Sequence, residues 1–525
     1  MPKDNLFIGQ EAREKLMNGV KKAAEAVGIT MGTAGSNSLI ECIENPQHFS
    51  TNDGATILNS IKFADPLEEM GRQVLYEAVS RANKKSGDGS STTCVLTQAI
   101  LEEGMKYIGQ KSPMEIKRSL EDCIPLIEKS LNNQKKEITV DSVAQVASIS
   151  AEDEEIGNKI QEIYQKIGKD GIIQWDISKT AEDSYTIGTG LTINGATFVA
   201  PYMADGGNEI RLENPNILLA RKKITTALDF ETLFPQLFQK DIKEIVIFCD
   251  DIELQVIADL YKTQRIRGFK TIVVKMPVLW KDEWWEDLAL ASGATLIDVA
   301  SGIKINEATM ENLGTVEYMT ITKEDTFIDG IKDLTLHIAN LQSQGDEKSL
   351  LRASRLNTKT ARYYVGAHSE SALAYKRLKV EDAINAAACA LDNGVVAGGG
   401  VALLNTSKEL SENEIGGIIL KEALKKPFYQ IIENSGEKDI EAIELLSGVH
   451  GEGDSGNIDC EYNDGFNSKT GEIVNMFEAG IVDPTDVVIT AVKNAIGVAA
   501  TILTVGTVVI LPKEEQQLIM PPVLR

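Results

Sequence analysis

The chain carries Gly87-Asp88-Gly89-Ser90-Ser91-Thr92-Thr93 directly before an apolar run at residues 95–101 that has the composition of a helix. A glycine before a helix N-terminus favours anion binding, because free backbone N–H groups and the helix dipole both attract phosphate. The hydroxyls add hydrogen-bond donors, and an Asp beside bound phosphates commonly holds Mg²⁺. Ser and Thr also cap ordinary helices, so this stretch alone leaves both interpretations open.

Size and charge limit the class of protein. At 525 residues the chain is too long for one hydrophobic core, which predicts two or three domains. The net charge of −25 argues against nucleic acid and anionic membranes as partners, because both attract a basic face. The six cysteines lie far apart with no CxxC pair, which is typical of reduced, mostly buried thiols in a cytosol.

Two segments bear on localisation. The first residues show neither an apolar signal region nor an Arg-rich transit helix. Residues 495–511 carry no charge, but Thr and Gly interrupt them and their second half is β-branched. We interpret this segment as a buried helix that runs into a core strand, and not as a membrane span. The expected localisation is cytoplasmic.

Periodicity separates a helical part of the chain from an α/β part. Residues 9–27 predict an amphipathic helix, and helical periodicity dominates from about 66 to 170. Short strands alternate with helices over roughly 190–360, which predicts an α/β domain inserted within a mainly helical one. Helical periodicity returns at about 370–442 and again after residue 471.

Three Gly-rich segments and three carboxylates carry the candidate chemistry. The glycines at 28–35, 87–93 and 398–400 would allow backbone to approach a phosphate, and tight helix packing is the alternative for each segment when it is considered alone. None of them matches the Walker pattern or a dinucleotide fingerprint.

The three carboxylates are Asp53, Asp88 and Asp382. Hydrolysis of a phosphoanhydride needs Mg²⁺ and a carboxylate that orients water, and separate residues could divide these tasks. An Asp-Gly pair is also common in turns that have no catalytic role.

Together these segments resemble the chaperonins, specifically the group I, 60-kDa GroEL type. The matching motifs cover essentially the whole chain in the right order, and they are Ile29-Thr30-Met31-Gly32, Thr51-Asn52-Asp53-Gly54, Gly87-Asp88-Gly89-Ser90-Ser91-Thr92, Asn214-Pro215-Asn216-Ile217-Leu218-Leu219-Ala220, Val380-Glu381-Asp382-Ala383, Val396-Ala397-Gly398-Gly399-Gly400-Val401-Ala402-Leu403, Gly465-Phe466-Asn467 and Ala479-Gly480-Ile481-Val482-Asp483-Pro484.

The resemblance implies an α+β multidomain chaperonin fold. It implies a mainly helical equatorial domain at residues 1–133 and 393–525. A small intermediate domain would span 134–189 and 361–392, and an α/β apical domain would be inserted at 190–360.

The resemblance also implies an ATP hydrolase that folds proteins, with ATP and Mg²⁺ as cofactors and K⁺ as a further candidate. Asp88 would hold the metal, while Asp53 and Asp382 would act on the attacking water. The implied nucleotide-binding residues are Thr30, Gly32, Gly54, Gly89, Ser90, Ser91, Thr92, Gly399, Asn467, Ile481 and Asp483.

The implied partners are further copies of the chain in seven-membered rings, unfolded protein clients and a co-chaperonin. Non-native chains are recognised by exposed apolar surface, and burial of the same residues in the apical core is the alternative. The candidate client-binding residues are Phe198, Tyr202, Met203, Phe234, Leu237, Ile257 and Tyr261.

The sequence departs from the family pattern at several positions. The usual Gly-Pro-Lys-Gly is Gly32-Thr33-Ala34-Gly35, Asn52 replaces a Lys, and Thr358-Lys359 replaces a hinge Gly-Gly. Residues 437–464 are expanded and acidic where the family makes contacts between rings. These differences leave open double-ring assembly and co-chaperonin dependence, and they suggest a divergent paralogue or a phage-encoded form in an infected host cytosol. A holdase with weak ATP coupling is the second hypothesis, and a small-molecule phosphotransferase is the third.

Overall fold

The computed structural model describes residues 6–41, 48–86, 88–277, 281–344, 349, 352–353, 356–447 and 463–510. The chain divides into two compact units. The first contains the residues up to 169, residues 175–184 and the residues from 364 onward, and the second contains 170–174 and 185–363. The three-domain boundaries expected from the sequence stay a prediction.

The regular elements follow in chain order. The helices are α1 (Gln10–Gly28), α2 (Gly54–Ser60), α3 (Pro66–Ser86), α4 (Ser90–Met105), α5 (Pro113–Asp122), α6 (Ile124–Gln134), α7 (Val143–Ala151), α8 (Glu154–Ile167), α9 (Leu233–Gln239), α10 (Leu254–Arg267), α11 (Lys281–Ser292), α12 (Thr335–Gln344), α13 (Glu370–Asn393), α14 (Val401–Glu409), α15 (Ile415–Ala423), α16 (Lys426–Ser435), α17 (Ile440–Leu446) and α18 (Thr485–Thr504). The strands are β1 (Leu6–Ile8), β2 (Ser38–Glu41), β3 (His48–Thr51), β4 (Ile172–Ile177), β5 (Ser184–Asn194), β6 (Thr197–Phe198), β7 (Glu209–Glu213), β8 (Asn216–Ile224), β9 (Glu244–Ile252), β10 (Lys270–Lys275), β11 (Leu296–Ile297), β12 (Gly314–Thr315), β13 (Tyr318–Thr322), β14 (Asp325–Asp329), β15 (Lys359–Val365), β16 (Val395–Ala397), β17 (Asp464–Asn467), β18 (Glu472–Asn475), β19 (Val482–Pro484) and β20 (Thr507–Val509).

Helix α18 is the centre of the first unit. Fourteen of its 20 residues are buried, and it packs against α3, α4 and α5. By length and apolar composition it is the one helix among the described residues that could cross a membrane, and 72% of its apolar window is buried inside the protein. The prediction of a buried helix is therefore confirmed up to Thr504, while the end of that segment at residue 511 lies outside the described residues.

The strand after α18 differs from the expectation. β20 pairs with β1 in a two-stranded antiparallel sheet, and its residues alternate between exposed and buried. It is therefore a surface strand and not the core strand that the apolar run suggested. The helical periodicity expected after residue 471 is confirmed by α18, but β18 and β19 precede this helix and pair with β17 and β16.

The second unit contains two six-stranded sheets. The first has the order β11-β8-β9-β10-β6, with β12 beside β8, and β11, β8, β9 and β10 run parallel. The second has the order β4-β15-β5-β14-β13-β7, and β5, β14, β13 and β7 pair antiparallel. The continuous apolar runs in β8, β9 and β10 are buried on both faces, as parallel strands require.

Helices α1 and α3 cross at two glycines. A methyl group added at Gly19 would clash with the backbone of Glu68, and one added at Gly71 would clash with the backbone of Leu16. The two helices therefore approach more closely than any larger side chain allows. This contact holds α1, and the loop that follows it, against the rest of the first unit.

We expect Gly19→Ala to lower the free energy of unfolding by about 2 kcal/mol or more, because overpacking forces the helix backbones apart. Gly497→Ala is the matched control, since Gly497 also lies in a helix but has no atom within 4 Å of an added methyl group. The control should be neutral or stabilise the protein by up to about 1 kcal/mol. Denaturant unfolding of both variants tests this, and equal effects would contradict the close crossing.

Candidate functional site

A cavity of about 910 Å³ opens in the first unit. It collects residues from distant parts of the sequence, and every residue predicted above for phosphate, adenosine, metal or catalysis lines it: Thr30, Gly32, Asp53, Gly54, Asp88, Gly89, Ser90, Ser91, Thr92, Asp382, Gly399, Asn467, Ile481 and Asp483. Their roles stay predictions, but their convergence on one space is a finding of the structure.

The N-terminus of α4 forms one wall of the cavity. Its N-cap is Gly89 at φ 88°, in the left-handed region, and no side chain caps the helix. The Thr93 N–H and hydroxyl both donate to the Gly89 carbonyl, at 3.0 and 2.9 Å. The N–H groups of the first turn thus face the cavity without a side-chain acceptor, which is the arrangement that binds anions.

Helix α14 begins at the same cavity in the same way. Its N-cap is Gly400 at φ 80°, again without a side-chain cap. The preceding Gly399 has φ 62°, and a Cβ there would lie 2.7 Å from Cε of Met476. The run of three glycines is therefore required by a left-handed turn and a close approach, in addition to any packing role.

Asp88 directly precedes Gly89, the N-cap of α4. One carboxylate oxygen accepts the Gly89 N–H, and the other accepts the hydroxyl of Ser150, on α7, at 3.0 Å. Burial raises the pKa of Asp88, and the nearby charge of Lys379 opposes that rise. Its carboxylate is thus fixed in direction before any ligand binds.

Asp53 is the N-cap of α2. Its carboxylate accepts the N–H of Thr56 at 2.8 Å and that of Ala55 at 3.4 Å. Gly54 brings this turn against α4, since a Cβ there would lie about 3 Å from the hydroxyls of Ser90 and Ser91. The turn that the sequence predicted is thus also the contact that places Asp53 beside the start of α4.

Asp382 and Asp483 enter the cavity from α13 and β19. Burial raises the pKa of Asp382 well above its ordinary value, and the charges of Asp88 and Asp53 raise it further. Burial raises the pKa of Asp483 to about 7, with a further contribution from Asp88. Carboxyl groups in such surroundings are costly to ionise, which is typical of functional sites.

The residues present fit a nucleotide that carries its own divalent cation. Two uncapped helix N-termini suit phosphate, and Asp88 offers an oriented carboxylate. No group of three or more His, Cys, Asp or Glu among the described residues is arranged to hold a metal ion. Mg²⁺ usually binds through one or two carboxylates together with phosphates, so a preformed metal cage is not needed.

The sequence did not indicate three polar residues of the cavity: Ser150, Glu152 and Lys379. Lys379 lies three residues before Asp382 on α13, so the helical i,i+3 spacing could have indicated it. Ser150 and Glu152 come from the end of α7, and no local motif marks that end.

The candidate client-binding residues lie in the second unit. Three of them were expected at the surface but are buried. Phe198 is in β6 and is 8% exposed, while Met203 and Leu237 are fully buried. Phe198 pairs with Val274 at the edge of the first sheet, and the sulfur of Met203 accepts the backbone N–H of Val273. Leu237 lies one helical turn from the buried Leu233 on α9.

The other four candidates lie closer to the surface. Tyr202, Phe234 and Ile257 are partly buried, and Tyr261 is 42% exposed, with its ring 4.9 Å from that of Tyr202. Ile257 and Tyr261 lie on α10. This helix also exposes Leu254 (82%) and Ile266 (80%), which the sequence analysis did not predict as client-binding residues. Exposed apolar side chains therefore lie along α10, as they also do at Leu228, Val299 and Leu336 elsewhere in the second unit.

The profile of the TCP-1/cpn60 chaperonin family matches residues 23–232 and 237–513 of this chain. Among solved structures, the chain is similar to the chaperonin gp146 from bacteriophage EL 2 (Pseudomonas aeruginosa) in the presence of ATP-BeFx. The identity is 20%, over 97% of this chain and 99% of that one, with TM-scores of 0.68 and 0.63 for two crystal forms. At this identity the likeness to gp146 shows a shared fold.

We expect Asp483→Asn to stabilise the ligand-free protein by about 4 kcal/mol at pH 8, because each unit of pKa shift corresponds to about 1.4 kcal/mol. Because burial raises the pKa of Asp483 to about 7, the folded chain holds a proton between pH 4 and 7 that the unfolded chain has released. This contribution to stability is therefore lost as the pH rises through about 7. Unfolding measured from pH 4 to 8.5 should show the gain growing up to pH 7. The exposed Asp392→Asn is the control, and a pH-independent gain would contradict the assignment.

Proposed function

The chain belongs to the TCP-1/cpn60 chaperonin family and has the chaperonin fold, and from this premise we propose that it is an ATP-dependent protein-folding chaperonin. The observation that carries the proposal is the cavity lined by two uncapped helix N-termini and by Asp53, Asp88 and Asp382. The proposed location is the cytosol of a bacterium or of a phage-infected host.

The first turns of α4 and α14 would bind the phosphates through backbone N–H groups and the helix dipoles. The hydroxyls of Ser90 and Ser91, where the family usually carries Thr, add donors at the same wall. Asp88 would hold Mg²⁺, which when bound neutralises part of the phosphate charge. Ser150 and the Gly89 N–H keep that carboxylate oriented.

Asp382 is the residue we propose to orient the attacking water and accept its proton. The described residues give its carboxylate no hydrogen-bond partner, whereas both oxygens of Asp53 already cap α2. A raised pKa makes a carboxylate a stronger base once ionised. Asp53 would then act mainly through its charge and by fixing the turn beside α4.

Exposed strand edges support assembly into rings. Two-stranded sheets are rarely stable alone, and their open edges can pair with another chain. The β1–β20 sheet exposes Ile8 (63%) and Val509 (53%), and the β2–β3 sheet exposes Leu39 (73%). Chaperonins form oligomeric rings, and we propose rings of this chain, seven-membered by resemblance, with co-chaperonin use a further part of the proposal.

The exposed apolar side chains of α10 support client capture. Its side chains Leu254, Tyr261 and Ile266 present apolar area to solvent. Contiguous exposed apolar surface is how a protein can bind non-native chains without a sequence motif. The buried Phe198, Met203 and Leu237 would not touch the client.

We expect Asp382→Ala to reduce ATP hydrolysis at least about 100-fold while ATP affinity changes little, because loss of a general base affects the reaction more than binding. Steady-state hydrolysis and equilibrium binding test this, with the exposed Asp392→Ala on the same helix as the control. Normal turnover in Asp382→Ala would overturn the assignment. Client release that is equal with and without ATP in the wild type would replace the proposed function by that of a weakly coupled holdase.

We expect Tyr261→Ser to weaken capture of an unfolded client about 3- to 10-fold, because it removes exposed apolar area from α10. Leu336→Ser is the matched control, since Leu336 is also exposed (84%) but lies on α12. Suppression of client aggregation without ATP is the measurement. Equal losses in both variants would show that α10 is not the capture surface.

A further inference from the structure

The described walls of the cavity are strongly acidic. They carry seven acidic side chains, which are Asp53, Asp88, Glu152, Asp153, Glu154, Asp382 and Asp483. The same walls carry two basic side chains, Lys379 and Lys469. Lys469 is 75% exposed and lies 3.9 Å from an equally exposed Glu154, so solvent screens it. Lys379 is therefore the one buried cation among the described cavity residues.

The position of Lys379 places it among the reacting groups. Its side chain is only 10% exposed, and it lies one helical turn before Asp382 on α13. Its charge lowers the pKa of both Asp88 and Asp382, against the effect of burial. Lys379 is thus within electrostatic reach of the proposed metal ligand and of the proposed base.

In the ligand-free protein Lys379 is paired with Glu152. The ammonium group lies 2.9 Å from Oε1 of Glu152. The same carboxylate accepts Nδ2 of Asn52 at both oxygens, at 2.9 and 3.0 Å. Glu152 would therefore keep a partner if Lys379 moved away, and its side chain, 36% exposed, would also be hydrated.

The backbone of Glu152 is unusual. It ends α7 in the left-handed region at φ 56°, where a residue other than glycine is uncommon. Such strain persists where the surrounding structure holds a residue for a purpose, and it clusters at functional sites. This conformation directs the end of α7 into the cavity, opposite Lys379.

Charge balance decides what Lys379 does when a nucleoside triphosphate enters. The triphosphate brings about four negative charges, and a single Mg²⁺ neutralises two. Because the cavity is already acidic, the remaining charge is costly unless a buried cation meets it. A diphosphate is one phosphate shorter and carries less negative charge, so it depends less on that buried cation.

We infer that Lys379 binds the terminal phosphate of a nucleoside triphosphate, and that Lys379 pairs with Glu152 while the cavity is free of nucleotide. The inference rests on the proposed function, since it assigns a further ligand at the same cavity. Lys379 exchanges the Glu152 carboxylate for the phosphate, and Glu152 remains bonded to Asn52. The pair thereby makes the cavity distinguish a triphosphate from a diphosphate.

The test compares ATP and ADP affinities by calorimetry, in an Asp382→Ala background so that ATP is not consumed. Lys379→Met should lower ATP affinity about 10- to 100-fold, as for loss of a charge-assisted hydrogen bond, and ADP affinity less than about 3-fold. Glu152→Gln should act in the opposite direction, raising ATP affinity about 3- to 10-fold. Lys379→Arg should retain most of the preference for ATP.

Lys469→Met is the matched control, a second lysine of the same cavity that is exposed, and it should leave both affinities unchanged. Thermal unfolding checks that each variant is folded. If Lys379→Met does not fold, the Glu152→Gln variant still tests the inference. Equal losses for ATP and ADP in Lys379→Met would overturn the inference, because Lys379 would then be a general counter-charge. A parent protein that binds neither nucleotide would overturn the proposed function itself.

Discussion

Two helices that start at one cavity without a side-chain cap are the constraint on which the rest of the first unit depends. A helix N-terminus leaves backbone N–H groups without partners, and α4 and α14 both leave them facing the same space. Left-handed glycines at both N-caps make this geometry accessible. Buried apolar residues farther along α4 and α14, together with the buried helix α18, hold the two N-termini in place. The anion site is thus built from main chain, and side chains tune it.

The side chains around this site are arranged at a cost to stability. Burial raises the pKa of Asp88, Asp382 and Asp483 together, so their ionised forms destabilise the ligand-free fold near neutral pH. Lys379 offsets part of this charge, and Glu152 in turn holds Lys379. Groups that an optimally stable protein would avoid are collected where the divalent cation of a bound nucleotide would compensate their charge, which is the usual conflict between stability and function.

In the second unit, the helix face on which an apolar residue lies decides whether it is buried in the core or exposed at the surface. On α10, Val256 and Leu260 are buried while Leu254 and Ile266 are exposed, because they lie on different faces of one helix. The departures from the family motifs lie mostly in the first unit. Asn52 bonds to Glu152, the residue that follows α7, and Thr33 bonds to Ser468 at 2.8 Å across the cavity. New polar contacts therefore occur at two positions that depart from the family pattern, Asn52 in place of a Lys and Thr33 in place of a Pro.

The sequence by itself determined the family, the main helices and strands, and the cavity residues that stand in Gly-rich or Asp-Gly motifs. These follow from local rules, since glycine spacing, helix periodicity and turn residues act within a few positions of the chain. Only the tertiary structure decided that Ser150 and Glu152 meet Asp88 and Lys379, because the end of α7 reaches them through packing. It also decided that Phe198, Met203 and Leu237 are buried, since an apolar residue suits a core and a capture surface equally well, and only the neighbours packed around it distinguish the two.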